Sequence, residues 1–301
     1  MAVLAFVGFG ELGASLAEGL SRSGKHVLRA YVRRRSNLKP VTLRHLSATG
    51  TEPCASLSAA LWDADAVLAV VPGSSATEVA VDAAAHLRRG ALYVDLTSCA
   101  PEEKRASAQR VSDAGASYVD AAVLGSVAVS GFEVPILASG SDAHAFRELV
   151  ADDGIKVTAI DSPAGHAALV KLLRGIYLKG RDALIVEMLL AARRHDLDEL
   201  VVASIEGPGE GVPFAALAER VLRSVAVHAG RRADELAAAS ELVRRAGVDP
   251  ALTRAGSETL RRIAALGLRE RFGGERPTDA GAVLTAIDEL DRTSALAGQR
   301  T

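Results

Sequence analysis

At 301 residues, with 49% hydrophobic and 24% charged side chains, the chain is long enough for two domains and ordinary for a globular protein. Its formal net charge of -2 argues against nucleic acid or an anionic membrane surface as a partner. Cys54 and Cys99 lack metal-ligand spacing and no apolar stretch is long enough to span a bilayer, so we expect no metal, no membrane and a reducing, cytoplasmic setting.

Residues 2–7 are apolar, lack the basic segment of a signal peptide, and read as a first strand. The strand runs into Gly8-Phe-Gly-Glu-Leu-Gly13, a G-x-G-x-x-G turn, and then into a helical pattern over 11–23. A strand that turns through glycines into a helix brings backbone N–H groups and a helix N-terminus up to a pyrophosphate. Gly8 serves the tight turn, Gly10 the approach of the phosphates and Gly13 the packing of helix on strand, with Phe9, Glu11 and Leu12 carried beside them.

A second strand follows over 26–32. Folds of this kind that choose NAD place an acid about 20 residues after the glycines, at the end of the second strand. Here Val32 stands near that place, followed by Arg33, Arg34, Arg35 and Ser36. Guanidinium forks and a hydroxyl suit a ribose 2′-phosphate, so the cofactor is expected to be NADP; a solvated basic loop is the alternative. Which arginine makes the contact is not readable.

Apolar strand patterns recur at 66–71, ending in Val71-Pro72-Gly73, and at 91–96, which carries Asp95 and leads into Thr97 and Ser98. Helical segments over 76–87 and 101–114 alternate with them, then come strands at 118–123 and 134–138 and a helix at 143–151. This alternation predicts an α/β fold, a doubly wound, mainly parallel Rossmann sheet over 1–161. Such sheets bind ligands beyond the carboxyl ends of the strands. Val71 and Pro72, Thr97 and Ser98, and later Gly125 and Ser126 are therefore candidates to line the crevice, the last pair for a carboxylate.

Strand signals stop near residue 161, and 162–301 reads as an all-helical domain. Residues 163–194 form one pattern, about 45 Å long at 1.5 Å per residue, and apolar around much of its circumference. It needs other helices to cover it, including those of a second subunit, so a homodimer is expected. Glu206-Gly-Pro-Gly-Glu-Gly-Val-Pro213 breaks the helices, and further segments cover 214–227, 233–246 and 252–266.

Lys171 lies among Leu169, Val170, Leu172 and Leu173 on a helix expected to be deeply packed. Desolvation disfavours its ammonium, and a lysine with a lowered pKa suits proton transfer near neutrality. Arg174 on a neighbouring face is placed to hold an acidic group, and Gly175 leaves space one turn along. On helix pattern alone, a lysine snorkelling at a subunit surface is the simpler account.

The order of motifs resembles the β-hydroxyacid dehydrogenase superfamily, which includes 6-phosphogluconate dehydrogenase and 3-hydroxyisobutyrate dehydrogenase. The resemblance rests on the glycine turn, Val71-Pro72, Asp95-Leu-Thr-Ser98, Asp120-Ala-Ala-Val-Leu-Gly-Ser126 and Gly165-His-Ala-Ala-Leu-Val-Lys171. It implies that Lys171 protonates a carbonyl oxygen in reduction, or takes a hydroxyl proton in oxidation. Ser126 replaces the last glycine of the family's substrate motif, and Gly175 stands where the family has an asparagine. The C-terminal half is divergent: Asp234-Glu-Leu236 lacks the lysine of the family's K-D-L motif. His228, Arg231 and Arg232 occupy that neighbourhood and read as helix-surface charges before substrate contacts, and Lys179 has no assigned role.

The expected protein is an NADP-dependent oxidoreductase for a small acidic substrate, a hydroxy acid and its oxo acid or semialdehyde. An imine reductase is the nearest alternative, and a non-catalytic NADPH-binding scaffold is a second.

Overall fold

The computed structural model describes residues 1–33, 40–194, 196–205, 213–245 and 249–298. It contains two compact units, Met1–Lys171 and Leu172–Thr301.

The first unit is an eight-stranded sheet in the order β3-β2-β1-β4-β5-β6-β7-β8. β1 (Ala2–Val7) pairs in parallel with β2 (His26–Tyr31) on one side and β4 (Ala66–Ala69) on the other, the strand-order reversal beside which dinucleotides bind. β5 (Leu92–Asp95) and β6 (Ser117–Val123) continue the parallel sheet. β7 (Ile136–Ser139) turns antiparallel to β6 and pairs in parallel with β8 (Val157–Ala159). The two-residue β3 (Glu52–Pro53) closes the opposite edge. The doubly wound, mostly parallel sheet matches the expectation; β3 and β8 are too short to leave a periodicity in the sequence.

Helices cover both faces. α1 (Glu11–Arg22) buries Leu16, Ala17 and Leu20, its i, i+1, i+4 stripe, against Leu4, Phe6 and Leu68 of the sheet. α2 (Pro40–Ala48) and α3 (Leu57–Leu61) follow, and α3 is capped by Ser56 Oγ, which accepts from Ala59 N–H at 3.1 Å. α4 (Ala76–Ala84) and α5 (Pro101–Asp113) cover the other face, where Ala5, Val67, Ala69, Tyr93 and Val111 share a core. α6 (Val127–Ser130) and α7 (Ala143–Leu149) complete the unit.

α8 (His166–Arg194) is a single helix of 29 residues, as its pattern predicts. Its residues through Lys171 belong to the first unit, where Ala167 packs with Ala122 and Leu137. The deep packing expected around Lys171 is not found: Lys171 is half-buried, and Val170 and Leu173 are exposed. The apolar residues of this helix divide between two faces instead of encircling a buried rod.

The elements of the second unit among its described residues are all helices: the rest of α8, α9 (Asp198–Ile205), α10 (Phe214–Arg245), α11 (Ala251–Ala265), α12 (Leu268–Arg271) and α13 (Ala280–Gly298). Its core joins Ile185, Val186 and Leu189 to Val221, Val225, Leu236, Leu260 and Ile287. α10 is one helix of 32 residues, where the sequence suggested two. Gly230, between the two expected segments, stays helical, and a Cβ there would stand 3.7 Å from Ala264 Cβ of α11. Residues 206–212 of the expected break lie outside the described residues.

Candidate functional site

The glycine turn opens a cavity of about 1430 Å³, lined by Gly8, Phe9, Gly10, Glu11, Tyr31, Arg33, Val71 and Pro72 among others. Gly8 has φ +90, and a Cβ on it would come within 2.8 Å of the Val70 carbonyl oxygen, so this position tolerates only glycine. No atom lies within 4 Å of the place a Gly10 Cβ would take, and no side chain caps α1. That open helix N-terminus fits a pyrophosphate. Leu12 packs against the sheet core, and Gly13 lets Val70 approach to 3.1 Å of its Cβ position.

Arg33, just past β2, donates from Nη2 to Glu78 Oε1 of α4 at 2.6 Å. The hydrogen bond and charge of Glu78 hold the guanidinium's pKa above its ordinary value, and Arg33 holds the Glu78 carboxyl below its own. Arg34 and Arg35 lie outside the described residues. Thr42 and His45 of α2 also line the cavity, a contribution the sequence reading missed because α2 belongs neither to the glycine turn nor to a strand end.

Pro72 leads to Gly73, where a side chain would run into the Ser98 carbonyl, so the loops after β4 and β5 are in contact. Ser98 is exposed, and its Oγ accepts from Lys171 Nζ at 2.6 Å. The structure thus brings together two of the predicted residues from positions 73 apart. Thr97 is buried: its N–H donates to Asp95 Oδ1 at 2.9 Å and its Oγ1 to Cys99 Sγ at 3.4 Å. Burial pushes the Cys99 thiol up to about 11.

Gly125 is exposed on the loop after β6, with a Cβ position 3.0 Å from Val134 Cγ2, and Ser126 is half-buried at the start of α6. Asp120, the first residue of that motif, is fully buried, with Oδ2 accepting from Gly165 N and Ala168 N, each at 3.0 Å, and from Ser139 Oγ at 3.2 Å. It therefore caps α8. Beneath it lies Lys104, also fully buried, whose Nζ donates to Asp95 O at 2.8 Å and sits 2.9 Å from Asp95 Oδ1 and 3.5 Å from Asp120 Oδ1. Tyr118 Oη donates to Asp95 Oδ2 at 2.6 Å.

Burial alone would neutralise this group. It pulls the Lys104 pKa down, but Asp95 and Asp120 outweigh it and the net shift is upward. Burial likewise raises the Asp95 carboxyl, and Lys104, Thr97 and Tyr118 bring it below its ordinary value. Desolvation and the Asp95 charge push the Tyr118 hydroxyl far up, so it stays a donor. The sequence reading missed Lys104, although Pro101, Lys104, Ser107 and Val111 fall on one helical stripe and are the buried residues of α5.

In the second unit, Arg174 is exposed and Gly175 buried, with Lys179 Nζ 3.7 Å from its Cβ position. Lys179 pairs with Glu235 at 2.9 Å. Arg232 is not a helix-surface charge: it pairs with Asp182 at 2.8 Å and donates to the buried Ser224 Oγ at 2.8 Å. Arg231 is the exposed partner of Glu235. Burial, then Arg231, Arg232, Arg276 and Arg269, lower the His228 imidazole to about 4. Among the described residues, no acid, histidine and cysteine cluster could hold a metal and no helix is long and apolar enough to cross a membrane.

Residues 3–151 match the NAD binding domain of 6-phosphogluconate dehydrogenase, and residues 192–263 match DUF1932, a domain of unknown function. A conserved hypothetical protein from Sinorhizobium meliloti 1021 is 28% identical, with 96% of this chain and 97% of that chain covered and a TM-score of 0.73. A conserved protein of unknown function, reported as structurally similar to 3-hydroxyacid dehydrogenases, is also 28% identical, over 90% of this chain and 99% of its own, with a TM-score of 0.69. The mitochondrial 3-hydroxyisobutyrate dehydrogenase of Drosophila melanogaster is 24% identical over 218 residues, 71% of this chain and 65% of that protein.

Proposed function

We propose that this chain, a member of the β-hydroxyacid dehydrogenase superfamily in which a 6-phosphogluconate dehydrogenase-type NAD-binding domain precedes a DUF1932 domain, is an NADP-dependent dehydrogenase of a small hydroxy acid. The oxidised partner is the corresponding oxo acid or semialdehyde. The observation that carries the reading is the Lys171–Ser98 hydrogen bond, 2.6 Å long, on a loop that abuts the cavity wall at Pro72-Gly73.

The Gly8–Gly13 turn holds the pyrophosphate through backbone N–H groups, and Arg33, with Arg34 and Arg35, takes the 2′-phosphate. When bound, the nicotinamide supplies or accepts hydride. Lys171 does the proton work, giving a proton to the carbonyl oxygen in reduction and taking one from the hydroxyl in oxidation. Because Ser98 Oγ accepts from Lys171, its own O–H is left to donate toward the same substrate oxygen. Gly125 and Ser126 receive the substrate's acid group. The kinship with a 3-hydroxyisobutyrate dehydrogenase supports a short, acidic substrate. The reading includes a homodimer joined along α8.

The test follows NADPH oxidation with short 2-oxo acids, semialdehydes and cyclic imines, for the wild type and Lys171→Ala. Oxo-acid or semialdehyde turnover should fall about 100-fold or more in the variant, the scale of a lost general acid. Turnover that survives the substitution sinks the proton-transfer role. Reduction of imines alone would make the protein an imine reductase, and tight NADPH binding without any turnover would make it a scaffold.

A further inference from the structure

The Lys171–Ser98 contact joins two segments that are anchored separately. Ser98 follows β5, and that loop is held by Asp95, whose Oδ1 accepts the Thr97 N–H at 2.9 Å. Lys171 stands in the second turn of α8, whose start is held by Asp120 through the Gly165 and Ala168 N–H groups. A third bond, Ala167 N–H to Ser139 Oγ at 3.0 Å, fastens the same turn, and Ser139 in turn donates to Asp120. Each side of the contact therefore hangs on one buried carboxylate. Between the two carboxylates lies a single ammonium, Lys104, within 2.9 Å of one and 3.5 Å of the other.

We propose that Lys104 is a positioning residue: by bridging Asp95 and Asp120 it sets the distance between Ser98 and Lys171. This rests on the reading of Lys171 as the proton-transfer group. Two carboxylates and one ammonium leave the buried site one negative charge in excess. The first N–H groups of α8 supply the remaining stabilisation, which ties the helix to the charge group. A purely apolar contact would hold the same elements together with more freedom to slide, because dispersion has no preferred direction. Hydrogen bonds of fixed geometry at both ends give a registry that a proton donor requires, since about 1 Å of misplacement costs catalysis about 100-fold.

The decisive measurement needs neither substrate nor cofactor. Lysine side chains of the full-length protein are acetylated with trace acetic anhydride at several pH values, and the rate at each lysine is read by mass spectrometry. Lys156, an exposed lysine paired with Glu133, serves as the internal reference. Ser98→Ala shows the rate for Lys171 without the Ser98 hydrogen bond. Lys104→Met and Asp120→Asn should raise the Lys171 rate relative to Lys156 by about threefold or more, toward the Ser98→Ala value. Ser139→Ala, which keeps every charge and is the mildest change, should give a smaller rise and preserves the test if Lys104→Met does not fold.

General loosening raises every lysine together, whereas lost positioning moves Lys171 alone. If the folded variants label Lys171 at the wild-type rate, or label all lysines faster in proportion, the positioning role is overturned. Where the wild type turns over a substrate, kcat should fall about tenfold in Asp120→Asn with the NADPH Kd within about twofold. Absence of turnover in the wild type would refute the dehydrogenase reading and leave the labelling result intact.

Discussion

In the proposed NADP reading, Arg33 carries the cofactor preference and its partner Glu78 opposes it. The ion pair is exposed on both sides, so it adds little to stability, and the proposal gives it a part in ligand choice. Arg33→Ala should raise the NADPH Kd about tenfold and leave the NADH Kd within about twofold, as cofactor fluorescence would show; Glu78→Gln should tighten NADPH alone. Equal changes for both cofactors would refute the 2′-phosphate contact. His228 makes a second prediction. Its folded value near 4 lies below the ordinary histidine value of 6.5, so between those pH values the unfolded chain binds a proton that the folded one refuses. Stability should therefore fall as pH drops from 6.5 to 4, and His228→Gln should flatten the slope in urea midpoints taken across that window. Residue roles were legible unevenly. The glycine turn announces itself because no other residue adopts φ +90 against a carbonyl, as at Gly8. Lys104 is hidden within Pro101-Glu-Glu-Lys-Arg105, which has the composition of a solvated helix face. Its burial depends on Asp95 and Asp120, distant acids that local patterning cannot pair with it.

The start of α8 shows why elements are easier to read than their anchors. Its length was legible, because 29 residues rich in Ala, Leu, Lys and Arg pass without a proline, with only Gly175 and Gly180 as weak helix formers. Its fastening was not, because Gly165, Asp120 and Ser139 are brought together only by the sheet. Gly165 has φ +95, with a Cβ position 2.8 Å from the Pro101 carbonyl oxygen. Gly165→Ala should cost about 1–3 kcal/mol through left-handed strain and this clash. The measurement is a denaturant midpoint beside activity: turnover should fall while NADPH binding persists, since the glycine turn lies elsewhere. A variant of full activity would show that the helix start can move without consequence. α10 illustrates the opposite error, where segments over 214–227 and 233–246 were expected and one helix continues through Gly230. A glycine costs about 1 kcal/mol within a helix, and α10 runs on through Gly230 while sharing the apolar core of the second unit with α11.

At the scale of the whole molecule, each unit has its own apolar core, one on the two faces of the sheet and one among α8, α10, α11 and α13. The alternating strand and helix patterns revealed the first kind, and the loss of strand signals revealed the second. What the patterns could not show is which apolar residues remain outside both cores. Val170, Leu173, Tyr177 and Leu184 recur at helical spacing along α8, with Leu173 49% and Tyr177 68% exposed. In the proposed homodimer, a second copy of the chain covers that stripe. Sedimentation should give the mass of two chains, and Leu173→Glu with Tyr177→Glu should halve it; a wild-type monomer at micromolar concentration would exclude the dimer.

The group formed by Asp95, Lys104 and Asp120 also constrains the history of the chain. Removing Lys104 leaves two buried carboxylates without their counterpart, at a cost of about 3–5 kcal/mol, a large share of the stability of an ordinary domain, and removing either acid breaks the hydrogen bonds that anchor its loop or helix. A lineage cannot leave such a group one substitution at a time. Among descendants of a common ancestor the three positions should be inherited as a block, kept together or exchanged together.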